Sequence, residues 1–268
     1  MLCFGKKAYL CKLNLRRVMK YKILLLLLLL PLSVLAAPDY YPSVAPTGTF
    51  INHDGEVEEL AVGGNYDAPL TVTFEAHPAD TAGYVVYYEW KIIKKDNSEE
   101  TTLAVRNDEV TEFTFREGGA GISYRISLSI TYRYKETGVE GAVDQDEADM
   151  MRFSLRSSSM TVFNAFSPND DGINDTYRVK TQSLLKFRMA IFNRWGQRVA
   201  AGDENSLEKE YEGDFTYYVC WDGTVNGRVA DDGVYFINIE AVGSDGIEYT
   251  ERRDINLFTR SREKTTKE

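Results

Sequence analysis

Histidine is almost missing from this chain: His53 and His77 are the only two in 268 residues. They stand apart from each other and from every Cys. Zinc enzymes and His-based triads need an imidazole beside a metal or a nucleophile, so both classes are disfavoured. Cysteine is nearly as scarce, with Cys3, Cys11 and Cys220. Long apolar runs are confined to one place, Ile23 to Ala37, interrupted by Pro31 and Ser33. Its 15 residues fall short of the roughly 20 that a membrane-spanning helix needs. Lys20 and Lys22 precede it, and Val34, Ala36 and Ala37 end it with small residues. That pattern predicts a signal peptide, 1–36, cleaved by signal peptidase after Ala36. Met19 opens a well-proportioned leader by itself, which marks 1–18 as an over-extended start. No Cys follows the run, so a lipid-anchored lipoprotein is not expected.

Basic charge is the next shortage. Seven of the 31 basic residues and none of the 41 acidic ones lie in 1–36. The exported chain therefore carries 24 basic against 41 acidic groups, net −17. Such a surface repels nucleic acid and anionic membranes, so no nucleic-acid partner is expected. Cleavage also removes Cys3 and Cys11. Cys220 is left without a partner, and stability has to come from packing rather than disulfides.

What the chain does have is aromatic and period-two text: 17 Tyr and 13 Phe, with many Thr and Val, which favours strands. Leu70, Val72, Phe74 and Ala76 alternate with polar residues, as do Val86, Tyr88, Trp90 and Ile92. The cleanest run is Tyr124, Ile126, Leu128, Ile130 and Tyr132. Such alternation buries one face and wets the other, the pattern of an antiparallel sandwich. Asp96-Asn97-Ser98 and Glu117-Gly118-Gly119 supply turns. The span 137–157 reads as an acidic loop followed by a strand at Met151–Leu155, with Arg156 to Ser159 as a linker. Further on, Phe187, Met189 and Ile191 alternate before the turn Asn193-Arg194-Trp195-Gly196. Tyr235 to Ile239 has little polar face and is expected in the middle of a sheet. Asp245-Gly246 turns it into a hairpin with 248–258. The span 203–214 is expected to be an exposed, turn-rich insertion. The fold class expected is all-β, with two immunoglobulin-like β-sandwich domains in series, 37–157 and 158–268, the second ending in a charged tail, 259–268.

Two resemblances refine this. The succession A-P-L-T-V-T-F-E-A (68–76), Y-E-W-K-I (88–92), F-T-F (113–115) and Y-R-I-S-L-S-I (124–130) resembles a PKD-type immunoglobulin-like module. The family's G-D-G after the Trp is replaced by Lys94 to Asn97, so only the fold is implied, with Trp90 as the core Trp of a central strand. The second domain carries N-A-F-S-P-N-D-D-G-I-N-D-T-Y (164–177), F-R-M-A-I-F-N-R-W-G-Q-R-V (187–199), W-D-G-T-V-N-G-R (221–228), D-G-V-Y (232–235) and R-D-I-N-L (253–257). Over 160–258 this resembles the gliding-motility-associated C-terminal domain of Bacteroidetes proteins, the larger type of type IX sorting domain. The resemblance implies the type IX secretion machinery as partner, passage through the outer membrane, and surface display or release. It departs from the family in a longer segment between Val199 and Trp221 and in the tail beyond Leu257.

One acidic loop carries the candidate site residues Asn169, Asp170, Asp171, Asn174 and Asp175. With Gly172 aligned to the glycine of a calcium loop, Asn169, Asp171 and Asp175 fall at ligand positions. Ser167 and Arg178 occupy the first and twelfth, so the loop is no EF-hand. Two readings stand open: a calcium site, with calcium the only cofactor considered, or an Asx-rich turn capping its own backbone. Cys220 is expected to be a buried apolar residue, and Trp195 and Trp221 to be lids on the core. No catalytic residue is nominated. The expected function is therefore that of a non-enzymatic exported protein sorted by its C-terminal domain. The alternative is a cell-surface adhesion module binding a glycan or protein ligand, stiffened by calcium.

Overall fold

The computed structural model describes residues 40–144 and 151–259. The expected signal peptide, Asp146, Glu147 and Asp149 of the acidic span, and all of the tail but Thr259 lie outside the described residues. Every regular element described is a strand, as the period-two text requires.

Twelve strands build the first sandwich. They are β1 (Ser43–Val44), β2 (Thr47–Ile51), β3 (Val57–Glu59), β4 (Gly64–Tyr66), β5 (Leu70–Glu75) and β6 (Pro78–Ala79), then β7 (Tyr84–Asp96), β8 (Glu99–Arg106), β9 (Val110–Phe115), β10 (Ile122–Tyr134), β11 (Glu140–Asp144) and β12 (Met151–Leu155). One sheet runs β3-β2-β5-β9 and the other β4-β12-β10-β7-β8, with β1 and β6 forming a short ribbon. The long β7–β10 pair sets Trp90 against Leu128 and Ile92 against Ile126, all four fully buried. Trp90 is thus the core Trp of a central strand, and its indole N–H donates to the Asp108 carbonyl at 3.0 Å. A correction falls in the acidic span: Glu140–Asp144 is a strand, not loop. It pairs with Ser129–Arg133 of β10, because β12 covers only Tyr124–Ile126 and leaves that edge of β10 open.

The second sandwich comprises β13 (Ser159–Val162), β14 (Ala165–Phe166), β15 (Tyr177–Gln182), β16 (Leu184–Phe192), β17 (Arg198–Asp203), β18 (Glu208–Glu212), β19 (Phe215–Trp221), β20 (Thr224–Val225), β21 (Arg228–Val229), β22 (Gly233–Gly243) and β23 (Glu248–Leu257). Its sheets run β13-β15-β19-β18 and β14-β23-β22-β16-β17. β22 is central, as its apolar content implied. The insertion at 203–214 is only partly irregular: β18 adds an edge to β19. Arg178 holds it there through Glu210 and Glu212, and the Lys209 ammonium lies over the Tyr218 ring. Two separate cores result, one around Trp90 and one around Phe187. In the second, the Phe187 and Tyr218 rings stack with centroids 4.3 Å apart.

The linker is pinned rather than loose. Arg156 donates to Asp214 at 2.9 Å and lies 3.5 Å from Asp67 of the first sandwich. Ser183 of the second sandwich donates to Asp67 and accepts the Ala68 N–H, both at 3.2 Å. The Gly118 N–H donates to the Ser244 carbonyl at 3.1 Å. A β-carbon on Gly118 would stand 2.5 Å from the Arg156 carbonyl oxygen, so only glycine fits this approach. Beside these contacts lies a cleft of about 570 Å³, with His53 of the first sandwich stacked on Tyr211 of the second.

Candidate functional site

The motif text of the second domain is scattered over ninety residues of sequence, yet it meets at one pole of the second sandwich. Phe166, Tyr177, Trp221 and Tyr235 come from three motifs and form one buried aromatic group. Phe166 lies 5.6 Å from Tyr177 and 5.4 Å from Trp221, and Trp221 lies 4.8 Å from Tyr235. Each polar handle finds a backbone acceptor, as buried Tyr and Trp require. Tyr177 donates to the Phe163 carbonyl at 2.7 Å, Trp221 to Thr224 at 2.8 Å and Tyr235 to Asp231 at 2.9 Å. Burial pushes the Tyr177 and Tyr235 hydroxyls up from their ordinary pKa. Cys220 is buried beside them, and burial pushes its thiol up as well, which leaves it protonated and unreactive.

Two loops close over this group. In the first, all five candidate site residues sit together, and the side-chain oxygens of Asn169, Asp171 and Asp175 turn toward the loop's own backbone. Asp175 Oδ1 accepts the Asn169 and Asp170 amides at 3.0 and 2.9 Å, and its Oδ2 accepts the Gly172 amide at 2.8 Å. Asp171 accepts the Ile173 amide at 2.9 Å and the Asn169 side-chain N–H at 3.1 Å. Asn169 accepts the Asp171 amide at 3.2 Å. Asp170 and Asn174 take positive φ, 61° and 55°, the left-handed turns that Asp and Asn tolerate. Partial burial alone would raise the Asp175 carboxyl, but the amides donated to it outweigh that and hold it below its ordinary value. Among the described residues no group of three or more His, Cys, Asp or Glu is placed to hold a metal ion. The second loop follows Trp221. Asp222 accepts the Thr224 amide at 2.8 Å, and Gly223, at φ +77°, lies against Pro168.

A third turn stands at the same pole and departs from expectation. Asn193 Oδ1 accepts the Trp195 and Gln197 amides, both at 3.0 Å, and Asn193 Nδ2 donates to the Gln197 side chain. Trp221 is a lid on the core, 5% exposed, but Trp195 is not: its ring is 70% exposed. Gly196, at φ +78°, completes the turn that the Asn193 side chain caps, and the indole stands outside the sheet. Beside it a hollow of about 340 Å³ is lined by Arg194, Asp231, Asp232, Val234 and Phe236. Nothing in the sequence distinguishes Trp195 from Trp221, since each is followed by a turn. His53 and His77 serve local contacts: His53 stacks on Tyr211, and His77 hydrogen-bonds the Thr47 hydroxyl at 2.9 Å.

Residues 160–253 match the family model of the CHU_C type IX secretion signal domain. No curated protein matches the chain. Among solved structures it is similar to a tetra-tandem repeat in the extending region of a large adhesion protein, at 13% identity over 83% of this chain and 69% of that one, TM-score 0.26. It is also similar to the SGBP-B protein of a Bacteroides ovatus mixed-linkage glucan utilization locus, at 13% identity, 82% and 48% coverage and TM-score 0.22. A third similarity is to dimeric latent PorU from Porphyromonas gingivalis, at 12% identity, 82% and 20% coverage and TM-score 0.26. Over residues 160–253 the C-terminal sandwich of this chain is therefore similar to the CHU_C type IX secretion signal domain.

Proposed function

We propose that this chain is a non-enzymatic exported protein in which the second sandwich directs type IX secretion and the first is the passenger. The observation that carries the reading is the family match at 160–253, laid over a sandwich with its own closed core. In this account the leader 1–36 takes the chain across the inner membrane and is removed by signal peptidase. The second sandwich then engages the type IX machinery, and the protein reaches the cell surface or the medium.

Two groups that might have suggested chemistry have structural work in the fold. Cys220 is sealed in the core. The Asp67–Arg156–Asp214 cluster holds the two sandwiches together.

The test is surface proteolysis of whole cells expressing the full chain, a 1–157 truncation, or 158–268 fused behind a leader and an unrelated periplasmic reporter. The reading requires surface digestion of the full chain and of the fusion, with the truncation protected inside the cell. A truncation digested like the full chain removes the sorting role. A fusion that stays protected shows that the second sandwich does not suffice.

A further inference from the structure

Leaving an indole in water forgoes the stabilisation that burying 150–250 Å² of aromatic surface would bring. The other two tryptophans follow that logic and are buried. Trp195 does not, and it is not loosely held. Five hydrogen bonds tie the Asn193–Gln197 turn: the three made by the Asn193 side chain, the Asn193 amide to the Gln197 carbonyl, and the Gly196 amide to the Asn193 carbonyl. The Arg194 guanidinium lies over the indole, 4.4 Å from its centre, and covers one face. A rigid turn with one face backed presents the other face of the ring to solvent. Phe236 stands beside it at 46% exposure, on the outward row of β22 with Val234.

We infer that this hollow is a carbohydrate subsite that takes a neutral hexopyranose unit, stacked on the open face of Trp195. The axial C–H groups of a pyranose form an apolar face that suits an aromatic ring, and its hydroxyls need polar partners at the edge. Asp231 and Asp232 line the same hollow and supply carboxylate acceptors for them. Asp232 is already anchored, since it accepts the Thr259 amide at 2.8 Å and the Thr259 hydroxyl at 2.6 Å. Paired carboxylates disfavour uronic and sialic acids, so the sugar is neutral.

Size separates a sugar from a protein partner. The hollow, about 340 Å³, lies at the small end of ligand pockets, roughly 300–1,000 Å³. A stable protein interface covers about 800 Å² on each partner. Around this hollow the apolar surface is three rings, Trp195, Tyr235 and Phe236, and a valine, backed by charge.

Acrylamide quenching reads this site directly, because Trp90 and Trp221 are buried and Trp195 alone of the three is exposed. The protein is the exported chain, 37–268. The probes are laminarin, galactomannan and yeast mannan, with alginate as the acidic control. At least one neutral polysaccharide is expected to shield the indole from quenching and to retard the protein in affinity electrophoresis, and alginate is expected to do neither. Trp195→Ala should weaken retardation by about tenfold or more, with an unchanged melting temperature, and Trp195→Phe should keep part of it. Asp231→Asn, which leaves the turn intact, should also weaken it. Absence of shielding by all three neutral polysaccharides overturns the inference, as does retardation of Trp195→Ala equal to that of the parent. If Trp195→Ala instead loses surface delivery while no polysaccharide shields the parent, the ring belongs to a protein contact and the inference fails. Failure of the sorting reading would appear separately, in the truncation and fusion.

Discussion

Replacing Arg156 with Met keeps most of the aliphatic stem and removes the charge that ties the two sandwiches together. Asp67 is the partner that suffers. Its side chain is 37% exposed, and burial raises its pKa above 3.8, while Arg156 and the Ser183 hydroxyl pull it back down. At 3.5 Å and an effective dielectric near 20 the bare attraction would be about 4–5 kcal/mol. Solvent reaches both partners, and desolvation of the pair offsets much of that, so we expect a net loss of about 1–2 kcal/mol at pH 7. Asp214 is too exposed to add much.

The pH dependence fixes the sign. A carboxyl with a raised native pKa favours the fold below its unfolded value and loses that contribution as pH rises through the native one. Without Arg156 the native pKa climbs further, so the penalty grows toward neutral pH and shrinks as pH falls through the native value and Asp67 takes up its proton. Thermal unfolding of parent and Arg156→Met should differ by about 2–8 °C at pH 7 and by less at pH 4. Equal shifts at the two pH values would refute the assignment of Arg156 to Asp67.

Further outcomes are expected elsewhere. Gly118→Ala forces a methyl against the Arg156 carbonyl and should cost about 1–3 kcal/mol, read as a lower denaturant midpoint. The Cys220 thiol should resist iodoacetamide in the native chain and react only on unfolding, and Cys220→Ser should destabilise by about 1–3 kcal/mol. Asp175→Ala should speed hydrogen exchange at the Asn169, Asp170 and Gly172 amides, which lose their acceptor. Because those amides already occupy the carboxylate, melting curves of the parent in millimolar calcium and in chelator should superimpose. A calcium-dependent rise in melting temperature would favour the metal reading over the turn.

Much of the fold was legible because burial in a sandwich writes a period of two into each strand. Tyr124 to Tyr132 and Tyr235 to Ile239 show it directly, and both lie in central strands. Strands that lie at edges escape this logic. Glu208–Glu212 buries none of its residues fully, so its composition reads as loop, and only the open side of β19 makes it a strand. Glu140–Asp144 is likewise made a strand by the open edge of β10. The acidic loop could be located but not interpreted. Five oxygen-bearing side chains in seven residues serve a cation or their own amides equally well on paper. The choice depends on backbone angles at Asp170 and Asn174 that no spacing reveals. Trp195 was misjudged for a related reason. Whether a tryptophan beside a turn faces in or out depends on how the turn is capped, and Asn193 decides that from two residues away.

The strand pairing also sets where the sorting unit ends. The family match stops at Arg253, but the sandwich does not. β23 runs on to Leu257, and Ile255 and Leu257 are both fully buried. Asn256 and Leu257 pair in parallel with Ala165 and Phe166, the start of the acidic-loop motif. The Phe258 amide donates to the Phe166 carbonyl at 3.2 Å. The first and last motifs of the domain therefore lock one another, and neither end can be trimmed alone. Each of the two buried side chains contributes about 1.5–3 kcal/mol. Losing both removes a large part of the 5–15 kcal/mol by which a domain is stable. A reporter fused to 158–253 would then fail to fold at its C-terminal edge, whereas one fused to 158–259 keeps every buried pair. Secretion of the longer fusion and retention of the shorter one would place the requirement in the folded sandwich. Equal secretion of both would place it in a linear stretch upstream of Ile255.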